Sequence, residues 1–173
     1  MNWKHLVTVL ALVGFALTAS AGGGLPIVTG STHTTDLPPG TGLRTQTFQL
    51  VEYVDGTVDG HVQVVRHDGA GHLHIQVGND EEGLPCYYRD DSDTDTVILF
   101  GQVTQASSPS LVGRHAAVGA RDGGDSDEVT PILFTITPEG ETFSCTQEWQ
   151  QAVIDVLLAN FFPVESGNLI VRP

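Results

Sequence analysis

The sequence predicts a mainly all-β domain, an antiparallel β-barrel or sandwich of about seven strands with one helix in the C-terminal half. Three observations carry this reading. From Arg44 onward, short runs rich in Val, Ile, Phe and Thr alternate with Gly-, Pro- and Asp-rich turns. One stretch alone, after Ser144, has its apolar residues at helical spacing. Strand–helix–strand alternation is missing, so a doubly wound parallel sheet does not fit.

The chain opens with a secretory pattern. Lys4 and His5 precede the apolar run LVTVLALVGFAL from Leu6 to Leu17, and Ala19-Ser20-Ala21 has the small-x-small form of a cleavage site. The run is shorter than the ~20 residues a bilayer crossing needs. Residues 1–21 therefore read as a signal peptide, and no stable membrane insertion is expected after cleavage. Residues 22–43, rich in Gly, Thr and Pro and containing DLPPG, read as a flexible leader. Residues 44–173 read as a single β-domain.

Within that domain TQTFQLVEYV places Phe48 and Leu50 inward on alternate positions, and DGTVDG is a turn-rich link. HVQVVRHDGAGHLHIQV, from His61 to Val77, reads as a hairpin turning at Asp68–Gly71. That register sets His67 opposite His72, Val65 opposite His74 and Gln63 opposite Gln76. Val62, Val64, Leu73, Ile75 and Val77 then share the core face. TVILFGQV, from Thr96 to Val103, is apolar on both faces and suits a covered central strand. In RHAAVGA, Ala116, Val118 and Ala120 share a face; in ILFTIT, Ile132, Phe134 and Ile136 do. Ser144 and Gln147 form a capping box. Trp149, Ala152, Val153, Val156 and Leu157 follow at helical spacing, Pro163 ends the helix, and NLIVR closes the chain as a strand.

Cys86 and Cys145 are the two cysteines, and in an exported chain the expectation is one disulfide between them. No CxxC motif supports a reactive or metal-binding pair.

Removing 21 of 173 residues leaves 152, enough for one domain with a real core. All 21 acidic residues remain, set against six Arg, because Lys4 is the single lysine. So negative a surface disfavours nucleic acid and anionic lipid as partners. It suits solubility, cation binding or high salt.

LRTQTFQLVEYVDGTVDGHVQV, VTQASSPSLVGRHAAVGARDGG and FPVESGNLIVR together resemble a widespread group of small exported bacterial β-rich proteins. That group has Asp-Gly-x-Val-x-Gly, Pro-x-Leu-Val-Gly and closing Phe-Pro-x-x-x-Gly-Asn motifs. The resemblance spans roughly Thr41 to Arg172. It implies export and a β-rich domain and brings no site residues with it. The chain departs from the group in the acidic insertion CYYRDDSDTDT and in the turn RDGGDSDE.

Two features point to cations. Asp91, Asp93 and Asp95 have the alternate spacing of the first half of a calcium loop, and Asp122, Asp125 and Asp127 fill a second acidic turn. The full calcium-loop pattern fails, since Thr96 stands where Gly is required and Gln102 where a bidentate Glu belongs. Calcium binding and a pair of solvated turns are both open. The hairpin register also gathers His67, His72 and His74 on the face opposite the core, a set that suits a transition metal; polar residues belong on a wet face in any case. Catalytic signatures are lacking: the chain has no G-x-S-x-G elbow, P-loop or dinucleotide fingerprint, so a hydrolase would need a non-standard site. The expected function is that of an exported, non-catalytic binding or structural module at the cell surface or outside. It would hold a small apolar ligand within the barrel or present its faces to a surface polymer. The alternatives are metal binding by the histidine hairpin and hydrolysis.

Overall fold

A computed structural model describes residues 23–35, 43–67, 71–90, 93–135, 143–145 and 148–172. The signal segment 1–21, DLPPG, the turn residues 68–70, Asp91, Ile136 and Gln147 of the capping box lie outside the described residues.

The alternating runs form one antiparallel sheet. Its strands are β1 (Leu25–Thr34), β2 (Arg44–Glu52), β3 (Val58–Arg66), β4 (Gly71–Val77), β5 (Tyr87–Asp90), β6 (Asp93–Ala106), β7 (His115–Arg121), β8 (Glu128–Val129), β9 (Leu133–Thr135), β10 (Phe162–Pro163) and β11 (Ser166–Val171). The order across the sheet is β10-β8-β7-β6-β4-β3-β2-β1-β11, with β5 paired to β6 and β9 to β7. Eleven strands replace the expected seven: β1 falls in the segment expected to be a leader, and β5, β8 and β10 are only two to four residues long. Runs that short carry no periodicity to read.

The sheet curls into a half-barrel. Its first and last strands in spatial order, β10 and β11, are separated in the chain by only Val164 and Glu165, so chain continuity brings the two ends together. Hydrogen bonds complete the seam. The Val164 amide donates to the Asp127 carbonyl at 3.0 Å, and the Leu169 amide to the buried Asp127 carboxylate at 2.6 Å. Inside, Phe48, Leu50, Val62, Val64, Ile75, Val77, Val97, Leu99, Val118 and Leu169 join one apolar core.

β6 is covered on both faces, as its sequence predicts. Val97 and Leu99 face the main core. Ile98 and Phe100 face outward into a second cluster with Cys86, Ala117, Ile154 and Leu157, under the helix α1 (Glu148–Leu158). Cys86 and Cys145 form a disulfide with Cα atoms 5.1 Å apart, tying the start of the helical segment to the strand region. On the chain-entropy account a closure over 59 residues stabilises by about 4 kcal/mol.

Three expectations change. The segment expected to be a flexible leader contains β1, which pairs with β2 from Leu25↔Glu52 to Thr34↔Arg44 and with β11 on its other edge. Its Gly is not a sign of looseness. Gly30 has φ +147°, and a Cβ there would lie 2.1 Å from the Asn168 carbonyl oxygen, so glycine is what allows β11 to close against it. The hairpin register is displaced by two residues: Val65 opposes His72, Gln63 opposes His74 and His61 opposes Gln76. A shift of two keeps every side chain on its face, so the core set is unchanged. The helical stripe is rotated as well. Gln150, Ile154 and Leu157 are buried, Ala152 is exposed and Val156 is 48 % exposed. Helix α1 ends at Leu158, before Pro163, which pairs with Glu128 as part of β10.

Candidate functional site: the mouth of the half-barrel

The convex face of β1–β4 presents a nearly uncharged ladder of Thr, Ser, Gln and His. The histidines engage different neighbours. His67 Nε2 and His33 Nδ1 both share hydrogen bonds with the Thr45 hydroxyl, at 2.7 and 2.9 Å. Since that hydroxyl has one proton, it donates to one ring and accepts from the other. His72 Nδ1 pairs with Ser107 Oγ at 3.0 Å and His74 Nδ1 with Thr104 Oγ1 at 2.8 Å. His67 thus leans toward β2, while His72 and His74 lean toward β6. His74 also stacks on His61, ring centroids 5.1 Å apart, and burial followed by the neighbouring His74 charge lowers the His61 pKa. The three hairpin histidines share a side of the sheet without converging.

The acidic turns meet where β6 and β7 pair. The Asp122 amide donates to the Asp95 carbonyl at 2.9 Å, and Thr96 opposes Arg121. Arg121 donates to Thr96 Oγ1 at 2.8 Å and to Glu128 at 2.7 Å, and stacks over Phe161. Asp122 accepts from the Gly124 amide at 3.1 Å and from the Val171 amide at 3.4 Å; Asp127 is 7 % exposed and holds Leu169. Two of the six candidate calcium ligands therefore serve the seam of the sheet. Asp95 and Asp125 are exposed, Asp91 lies outside the described residues, and the side chain of Asp93 is not described. Among the described residues, no group of three or more His, Cys, Asp or Glu side chains is placed to hold a metal ion.

A groove of about 410 Å³ runs outside β4, β6 and β7, past Asp80, Gln102, Thr104, His115 and Phe143. Its polar groups have structural duties. Burial pushes the Asp80 carboxyl up, but hydrogen bonds from the amides of Cys145, Leu84 and Glu82 and from the Ser144 hydroxyl outweigh it and hold the pKa below the ordinary value. Asp80 thereby anchors the disulfide-bonded segment. The His115 ring is covered by Phe143 at 3.9 Å, and burial lowers its pKa.

The cavity at the mouth of the half-barrel differs in kind. It has a volume of about 290 Å³ and opens where β2 begins, β3 ends and β4 begins. Val64, Leu73, Leu111, Ile132 and Phe134 give it apolar walls, and Arg44 and Arg66 give it two guanidinium groups. Strand alternation puts both there: Arg44 follows the inward parity of Gln46, Phe48 and Leu50, and Arg66 that of Val62 and Val64. Arg114 stacks over Phe134, 5.5 Å from the ring centre. Just inside, Gln46 is fully buried with neither amide atom hydrogen-bonded, and the Thr34 hydroxyl is buried without a partner. Sequence reading missed this site, although extending the alternation of Phe48 and Leu50 two steps back reaches it.

Fold and cavity define a class: a disulfide-stapled β half-barrel with an amphipathic opening. No protein-family model, curated protein or solved structure matches the chain.

Proposed function

We propose that the protein is an exported, non-catalytic binding module that holds a small ligand with an apolar body in the mouth of its half-barrel. One observation carries the reading: the cavity combines apolar walls from four parts of the chain with a few inward polar groups, the composition of small-molecule sites. The outer groove and the histidine face are weaker candidates, because most of the residues that form them are polar and leave less apolar wall for the body of a ligand. Export is supported by the N-terminal pattern and the disulfide.

A titration with 1-octanol followed by amide NMR tests the site. Shifts are expected at Val64, Leu73, Ile132 and Phe134, with Gln49 and Gln63 on the convex face unmoved. Shifts restricted to the convex face, or none at saturation with either 1-octanol or octanoate, would sink the proposal.

A further inference from the structure

We infer that the mouth selects a small carboxylate with an apolar body, the acid seated against Arg44 and Arg66 and the body against Val64, Leu73, Ile132 and Phe134. This rests on the mouth being a ligand site and adds the class of ligand. Arg44 and Arg66 oppose each other at one register position of β2 and β3, on the cavity side. Arg44 is 7 % exposed and Arg66 is half-buried. Two of the chain's seven cationic side chains therefore form one cross-strand pair inside an apolar opening, in a protein of net charge −14. A planar guanidinium matches a carboxylate in two-point geometry.

A second observation is independent of the arginines. Gln46 opposes Val64, a wall residue, and both its amide nitrogen and its amide oxygen are buried without a partner. The Thr34 hydroxyl, at the position opposite Arg44, is in the same state. Buried polar groups are nearly always hydrogen-bonded to protein or ordered water. Unpartnered donors and acceptors beside the cavity suit the head group of a bound acid or the water that accompanies it. The cavity volume, about 290 Å³, lies at the lower end of the range for small-ligand sites, so the ligand is a short acid rather than a whole lipid.

The experiment compares octanoate, 1-octanol and acetate on the purified protein at pH 8, by amide NMR titration. Octanoate is expected to bind at least about tenfold more tightly than either of the others, from charge-assisted hydrogen bonds added to apolar burial. Arg66→Gln is expected to bring octanoate down to the affinity of 1-octanol and to leave 1-octanol unchanged. Arg44→Gln serves as a second variant; the ligand comparison on the unaltered protein depends on neither. Equal binding of octanoate and 1-octanol would overturn the selection of an acid while leaving the mouth as an apolar site. Acetate binding as tightly as octanoate would overturn the need for an apolar body. Absence of binding by both octanoate and 1-octanol would overturn the ligand site itself.

Discussion

Asp127 shows how a charged residue in an acidic turn becomes part of a core. Its carboxylate is 7 % exposed and accepts the Leu169 amide at 2.6 Å, while its carbonyl accepts the Val164 amide. Both bonds hold the segment that joins the two ends of the sheet. Asp127→Ala is therefore expected to lower unfolding stability by about 1–3 kcal/mol, the cost of leaving a buried amide unpaired. Asp125→Ala, at an exposed position of the same turn, is expected to stay within about 0.5 kcal/mol. Urea denaturation of the two variants checks both, and equal losses would deny Asp127 its role at the seam. The sequence shows the acids and their spacing but not this difference. Asp125 and Asp127 look alike until β11 arrives beside one of them from 42 positions away.

At the scale of elements, alternation was the reliable signal. It correctly sorts Val62 and Val64 from Gln63, and Ala116, Val118 and Ala120 from Ala117. It survives a two-residue error in the hairpin register, because parity is unchanged. Helical spacing was weaker, since apolar residues occur around much of α1. Val156 and Leu157 are adjacent in sequence and were both assigned to the packed stripe, yet one is 48 % exposed and the other 1 %. Leu157→Ala is expected to cost about 2–5 kcal/mol as a buried large-to-small change. Val156→Ala is expected to cost less than about 1 kcal/mol. Thermal melts of the pair decide between the two helix rotations, and a larger loss for Val156 would place the packed stripe as the sequence had it. Composition misled at β1, where Gly and Thr suggested a loose leader. Thr is a good strand former, and Gly30 is there for a close approach that only the partner strand reveals.

At the scale of the whole molecule, the histidines give stability a pH dependence. Burial lowers the pKa of His61, with the His74 charge adding to it, and burial lowers that of His115. A histidine whose folded pKa lies below its unfolded value of about 6.5 is held neutral by the fold. Its contribution is fully present above that pH and is lost as pH falls toward the folded value, because the unfolded chain takes up the proton first. The urea midpoint is expected to fall between about pH 7 and pH 5.5, and to fall less in a His61→Gln, His115→Gln double variant. Parallel slopes in the two proteins would assign the dependence to other groups.

The sequence by itself determined the β class, the faces of the main strands, the covered central strand and the pairing of the two cysteines. Each follows from local periodicity or from there being one choice to make. Only the tertiary structure decided which acids are solvated and which hold the seam, that β10 and β11 bring the ends of one sheet together, and that Arg44, Arg66 and Gln46 meet apolar residues at an opening. Those facts depend on curvature and on contacts between segments 20 to more than 80 positions apart, as when Arg44 meets Arg66 or Arg89 reaches the Arg172 carbonyl. A one-dimensional pattern records which side of a strand a residue takes; it does not record what the closing of the sheet places across from it.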